Sequence, residues 1–548
     1  MNSIILITSG IFFYILGYFL YSKFIERRLV FPLDKRKTPA YSMRDGVDYE
    51  PAKPIILFGH HFSSIAGAGP IIGPVIACYY FGWAPAFVWL VIGCIFFGAV
   101  HDYLSLILSI RHKGKSISQI SSHYLSKIAF FSFTVFLWLA LILVIAVFAS
   151  GGARTFIEKP QVIIPSFGLI PVAMIFGFFI YRKGFSASYG TVIAVAVLFG
   201  LLWLGYVYPL RSNFSHAFEI FFIILVIYGT VASLLPVWFL LQPRDYLSTA
   251  ILFIGMLLGM TGIFFSHKAI LYPAYKGLST QAGTLWPMLF ILIACGAISG
   301  FHALVSSGTT SKQIDMEKNA RPIGYGGMLT EGLLAIIALA AVSAGLSVKT
   351  FSEFMSGKKG WLISFCAGYG NLTSGIPGIS AEFGTSFAMI MLNTFILTTL
   401  DTCIRLSRFI ITEIFGEYFG LLKNKFFVTI LNVSLATYLG LTGGYQKLWP
   451  IFGACNQLIA ALTLIIISLF FFSNSKPIKF TMGPAIFMMV TTVWALVLKF
   501  KDFFSQRNYL LAGVDIFLLI LALVVIIESF RMFLGGKTRG SEKISINS

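Results

Sequence analysis

The chain has 548 residues, 57% of them hydrophobic and 11% charged, with a formal net charge of +19 and a mean hydropathy of +0.86. A soluble domain carries about 25% charged residues, so this composition excludes a soluble domain on an anchor and specifies a polytopic membrane protein. The excess of Lys and Arg is what loops retained inside a membrane accumulate. No basic run interleaved with aromatics occurs in a soluble segment, and nucleic acid is excluded as a partner.

Apolar runs of membrane length predict about fifteen spans. In chain order they lie near 3–22, 54–81, 83–104, 128–150, 162–181, 188–209, 217–241, 248–266, 286–304, 325–347, 381–401, 426–441, 448–475, 480–498 and 509–530. The first lacks a basic leader and a small-residue cleavage site, and is expected to stay as a helix. With the N-terminus outside, the inner loops carry 28 of the 40 Lys and Arg residues and the outer loops 12, none of them within a span. That bias predicts an N-out, C-in chain. Loops 23–53 and 348–380 are the longest and hold no globular domain. Residues 402–425 alternate basic and apolar residues and predict a helix along the inner interface. The tail KTRGSEKISINS reads as disordered. Cys78, Cys94, Cys295, Cys366, Cys403 and Cys455 form no CxxC pair and read as buried small residues.

The second span carries the stretch Phe58 to Pro74, FGHHFSSIAGAGPIIGP. Gly59, Gly67, Gly69 and Gly73 each cost a helix roughly 1 kcal/mol against Ala, and Pro70 and Pro74 remove backbone donors. Unwound backbone at membrane depth is tolerated only inside protein or along a wet cavity. The reading is a broken helix facing a ligand, with His60, His61, Ser63, Ser64, Gly67 and Gly69 on the substrate side. The plain alternative is a helix kinked for packing.

The seventh span repeats the composition in Tyr228–Pro236, YGTVASLLP. Two Gly/Pro-interrupted spans in matching positions point to a transporter site between inverted repeats. Spans 2–6 and 7–11 are the expected repeats, with Tyr228, Gly229, Thr230 and Ser233 on the far wall of the site. The half-helix N-termini are expected to receive a carboxylate.

Further along, His302 precedes Ser306, Ser307, Thr309 and Thr310, whose hydroxyls suit a hard cation such as Na⁺, or merely a helix end. His101 and Asp102 close the third span, either as a proton relay or as anchors near the inner interface. Asp401 has Arg405 at i+4, a local pair or a gate contact. Glu331 is read as facing the bundle, and Asn456 and Gln457 as glue between helices. HExxH, GxSxG and metal-type Cys/His spacings are absent, so an enzyme is not expected.

The stretches GHHFSSIAGAGPIIGPVIA, HDYLSLILSIRHKGKSI, GAISGFHALVSSGTTSKQI, GYGGMLTEGLLA, LTTLDTCIRLSRFI and GGYQKLWPIFGACNQLIAALTL together resemble the carbon starvation protein A family, from about residue 30 to 530. The resemblance implies uptake of pyruvate or small peptides across a bacterial inner membrane, with pyruvate members acting as proton symporters. It also implies the LeuT-like fold of the amino acid/polyamine/organocation transporters. The resulting expectation is an all-α membrane protein with a LeuT-like 5+5 inverted-repeat core at 54–401. Residues 1–53 and 402–548 would be additions to it. The chain would be a secondary transporter with no cofactor, coupled to H⁺ or Na⁺, handling a small molecule among membrane lipids. His101, Asp102, His302 and Asp401 are the coupling or gating candidates. A membrane sensor is the rival class, and no signalling domain speaks for it.

Overall fold

The computed structural model describes residues 1–32, 37–46, 48–210, 214–236, 239–357, 360–416, 419–443 and 445–535. The tail expected to be disordered lies outside them. Thirteen helices among these residues are long and apolar enough to cross a membrane, and one further span is a bent pair. The helices are α1 (Ser3–Val30), α2 (Pro54–Ile65), α3 (Gly69–Phe81), α4 (Trp83–Arg111), α5 (Lys127–Glu158), α6 (Ile163–Lys183), α7 (Ala187–Val207), α8 (Ala217–Leu234) and α9 (Leu241–Ser266). There follow three short pieces, α10 (Leu285–Leu292), α11 (Ala294–Ala297) and α12 (Gly300–Gly308). The chain continues through α13 (Gly326–Gly345), α14 (Val348–Ser356), α15 (Gly360–Thr373), α16 (Ala381–Phe415), α17 (Lys425–Gly443), α18 (Tyr445–Ser473), α19 (Lys479–Ser505) and α20 (Tyr509–Gly535).

The first break falls where expected. Helix α2 leaves helical geometry at Ala66 (φ −74°, ψ 62°), and α3 restarts at Gly69, bent by 44°. Pro70 sits in the first turn of α3, where a missing N–H costs nothing. The second break is not in α8 but at Ile298 (φ −160°, ψ 127°) and Ser299 (φ −130°, ψ 123°), between α11 and α12. The two breaks press on each other. A Cβ added to Gly69 would lie 2.5 Å from Cys295 Sγ, and one on Gly73 would lie 2.4 Å from the Leu292 carbonyl oxygen. At Gly73 it is backbone that approaches, and at Gly69 the Cys295 side chain.

Helix α8 corrects the second expected interruption. It is continuous to Leu234, and its hydroxyls bond within their own helix: Thr230 Oγ1 donates to Val226 O at 2.8 Å and Ser233 Oγ to Thr230 O at 2.9 Å. Pro236 ends the helix rather than breaking it. Residues 402–415 do not form an interfacial helix either. They extend α16, and Arg405 and Arg408 donate to Leu235 O (2.5 Å) and Ser233 O (3.2 Å), capping the carbonyls that α8 leaves open. The Gly/Ser-rich loop 348–380 folds into α14 and α15. Helices α13 and α15 cross closely, with Gly345 against the Gly368 carbonyl.

Helices α5 and α16 pack side by side through the middle of the bundle, and α3 lies against α13. One end of the bundle gathers the loops around 38–53, 113 and 309–320. There Ala52 bridges Ile314, Thr38 Oγ1 donates to Asp315 O at 3.2 Å, and Ser126 Oγ donates to Glu528 at 2.7 Å. This is the basic end. At the other end Ser3 N donates to Lys268 O and Leu271 N to Ser343 O.

Candidate functional site

Between the two breaks lies a small cavity lined by Ile65, Gly67, Gly69 and Pro70 from the first break and Cys295, Ser299 and Phe301 from the second. Val144 and Phe148 of α5, Thr399 of α16 and Phe452 of α18 close it. About 10 Å³ is open to the centre of a water molecule, room for roughly one water. Helices α3 and α12 both begin here and turn their N-termini, the positive dipole ends, toward the cavity. Thr399 Oγ1 is buried without a partner, 3.0 Å from where a Cβ on Gly67 would stand.

Asn456 of α18 holds the second break open. Its Oδ1 accepts from Phe301 N at 2.9 Å, and its Nδ2 donates to Ser299 Oγ and Cys295 Sγ, both at 3.0 Å. Unwound backbone buried in protein must find such partners. Asn456→Leu is expected to cut initial uptake rates at least tenfold with normal membrane insertion. Labelled-substrate uptake at matched protein levels checks this.

A second group lies one turn along α12 from Ser299. His302 sits between two acids: Nδ1 is 2.6 Å from Asp102 Oδ2, and Nε2 is 3.1 Å from Glu331 Oε2. His101 Nδ1 meets Asp102 Oδ1 at 2.8 Å. All four side chains have zero exposure, so His101 and Asp102 are bundle-interior groups rather than anchors at the interface.

A third group lies between the cavity and the basic end, where α2 enters at Pro54. Arg244 of α9 donates to both oxygens of Asp401, through Nη1 to Oδ2 and through Nη2 to Oδ1, the latter at 3.2 Å, and to Asp245 Oδ1 at 2.7 Å. Tyr228 Oη accepts from Arg244 and lies 3.4 Å from Asp401 Oδ2. His60 Nδ1 is 3.1 Å from Asp245 Oδ2. Arg244 is fully buried in α9, although it falls between the spans expected at 217–241 and 248–266 and so counted among the inner-loop cations.

The structure thus divides the sequence candidates. Gly67 and Gly69 line the cavity. His60 belongs to the ionic group, His61 Nδ1 meets Thr310 Oγ1 at 2.9 Å, and Ser63 Oγ donates to His60 O at 3.2 Å. Ser64 is buried beside the break with an unpartnered hydroxyl. Tyr228 joins the ionic group through its hydroxyl, while Gly229 packs on Leu400 and Ile404, so Tyr228, Gly229, Thr230 and Ser233 do not line the cavity. Thr230→Val with Ser233→Ala is expected to leave uptake within about twofold of wild type, since each hydroxyl serves only its own helix. The hydroxyls of Ser306, Ser307, Thr309 and Thr310 do not converge on one point: Ser307 donates to Ala303 O at 2.6 Å, Thr309 to Val305 O at 2.9 Å, and Thr310 meets His61. Thr399, Cys295 and Ser299 were not read as site residues from the sequence. The Ser–Gly step of CGAISG, closing an apolar run, was the signal for the second break.

The profile of the carbon starvation protein CstA family matches residues 2–358 and 345–495. The chain belongs to the carbon starvation protein CstA family. It is 32% identical to the Peptide transporter CstA of Bacillus subtilis (strain 168) over 513 residues, 85% of each chain. It is 31% identical to the Peptide transporter CstA of Mycobacterium tuberculosis (strain ATCC 25618 / H37Rv), covering 92% of this chain and 76% of that one. The Pyruvate/proton symporter BtsT of Escherichia coli (strain K12) is 30% identical over 91% of this chain and 82% of its own. Among solved structures, MhsT in complex with L-phenylalanine superposes with a TM-score of 0.51 at 13% identity, covering 88% of this chain and 99% of that one. That likeness gives this CstA-family protein the LeuT-type fold expected from the sequence, and the family makes it a multi-pass membrane transporter.

Proposed function

We propose that this transporter imports a small carboxylate, pyruvate foremost, by proton symport. The observation that carries the reading is the cavity's lining: two helix N-termini converge on it, and among the described residues no carboxylate lines it. Freed N–H groups and the dipole favour an anion. A peptide would also need an acid for its amine. Peptide uptake is the second reading, favoured by the names borne by the Bacillus and Mycobacterium relatives. The ionic group around Arg244 and Asp401 serves as the gate on the basic end, shut here because its charges are fully buried.

The repeats follow the breaks. The first would be α2–α3, α4, α5, α8 and α9. The second would be α10–α12, α13, α16, α17 and α18. The hairpin α6–α7 is then an insertion, and the core runs from 54 to 473, past the boundary at 401 expected from the sequence. By the basic split, the basic end faces the cytoplasm of a bacterial inner membrane. An ion gradient supplies the energy, and H⁺ is preferred over Na⁺ because buried acids and histidines gather beside the cavity while the hydroxyls are spread apart.

The test is uptake of labelled pyruvate and of dipeptides into proteoliposomes under imposed H⁺ or Na⁺ gradients. Accumulation of pyruvate on a pH gradient alone is expected. Accumulation of dipeptide but not pyruvate, or dependence on Na⁺, would sink the reading.

A further inference from the structure

His302 has a carboxylate at each ring nitrogen. A neutral imidazole can donate from only one of them. Nδ1 is committed to Asp102 at 2.6 Å, so the proton on the Nε2 side is either on the ring or on Glu331. The Nε2 contact is at ion-pair distance but is not aligned as a hydrogen bond, and both Glu331 oxygens are without a hydrogen-bond partner. With Asp102 and Glu331 ionised and His302 charged, the group carries one net negative charge, and one more proton makes it neutral. In a site closed to water that difference is large.

Other titratable groups face this pair from each neighbouring helix. His101 comes from α4 behind Asp102, and His61 of α2 packs on Gly327, one turn before Glu331 in α13. Tyr14 of α1 and Cys94 of α4 lie against the adjacent Gly332, and Cys295 of α11 is within electrostatic reach of Glu331. None of these is a fixed cation. The buried guanidinium of Arg244 is occupied by Asp401 and Asp245, and that of Arg111 on α4 is paired with Glu317.

We propose that His302 and Glu331, backed by Asp102, form the proton-carrying site of this transporter, linked to the substrate anion through α12. This rests on the symport reading above. The step is a simple protonation: an O–H bond forms on Glu331 as a proton leaves water on one side of the membrane, and breaks as the proton returns to water on the other. No electron pair moves elsewhere. The link is geometric. His302 lies three residues beyond Ser299, which lines the cavity, so an anion at the N-terminus of α12 sits about one turn from the imidazole. Taking about 8 Å and an effective dielectric of about 20, the anion and the proton strengthen each other's binding roughly 30-fold. His60, by contrast, is held in the gate by Asp245, and His61 by Thr310.

The test uses the full chain in proteoliposomes and has a substrate-free arm. Infrared difference spectra between acidic and alkaline buffer should show a carboxylic-acid C=O band that Glu331→Gln removes and His302→Gln shifts. In the transport arm, Glu331→Gln should lose pH-driven accumulation at least tenfold, while substrate counterflow, which moves no net proton, falls much less. Glu331→Asp should restore the band and part of the accumulation. Should Glu331→Gln fail to reconstitute, His302→Gln with Glu331→Asp carries the same reading. A band unchanged in Glu331→Gln, or pH-driven accumulation that survives it, overturns the proposal. A wild type that shows the band but drives neither pyruvate nor dipeptide on a pH gradient supports the titrating site and overturns the symport reading.

Discussion

Gly69→Leu is expected to abolish substrate uptake while the protein still inserts into the membrane. The two broken helices touch at this residue. An added Cβ alone would lie 2.5 Å from both Cβ and Sγ of Cys295, and overpacking of this kind costs about 1–3 kcal/mol for each forced fit. The rest of a leucine would fill the little free space between the breaks. Bilayer insertion rests on apolar spans that the substitution leaves untouched. The clash is local, which gives a second check. Gly69→Ala alone should lower uptake strongly, and Gly69→Ala with Cys295→Gly should recover it, because the atoms in the way are those of the Cys295 side chain. Uptake by Gly69→Leu at the wild-type rate would mean that the contact between the breaks is not the site.

Arg244→Ala should lower stability by about 3–5 kcal/mol, because it leaves Asp245 and Asp401 buried without their shared counter-ion. Thermal unfolding of the purified protein in detergent measures this. Arg244→Lys should recover only part of the loss, since an ammonium cannot make the forked contact to Asp401 while reaching Asp245. Neutralising all three partners, as in Arg244→Met with Asp245→Asn and Asp401→Leu, should recover more than Arg244→Lys. The gate role has its own readout. Cys295 is the half-buried thiol of the cavity, and the other cysteines are buried. Thiol labelling of Cys295 from the basic end should therefore speed up in Arg244→Ala. An unchanged labelling rate, together with lost stability, would reduce the network to a structural role.

The sequence by itself determined the membrane class, the spans and the first break. Long apolar runs can satisfy their backbone in lipid only as helices, and four glycines with two prolines between Phe58 and Pro74 cannot hold one straight helix. The motifs also sufficed for the family, whose profile matches residues 2–358 and 345–495. The tertiary structure alone decided which second span breaks and which side chains meet. YGTVASLLP and CGAISGF both carry Gly, Ala and Ser among apolar residues. The first stays helical, with its hydroxyls bonded within α8. The second unwinds because Asn456, more than 150 residues further along the chain, supplies the bonds that Ser299 and Phe301 need. The same holds for charge. Asp102 meets His302 across 200 residues, and Arg244 meets Asp401 across 157. The cost of a buried charge depends on its partner, and periodicity along one chain carries no record of pairs that only packing brings together.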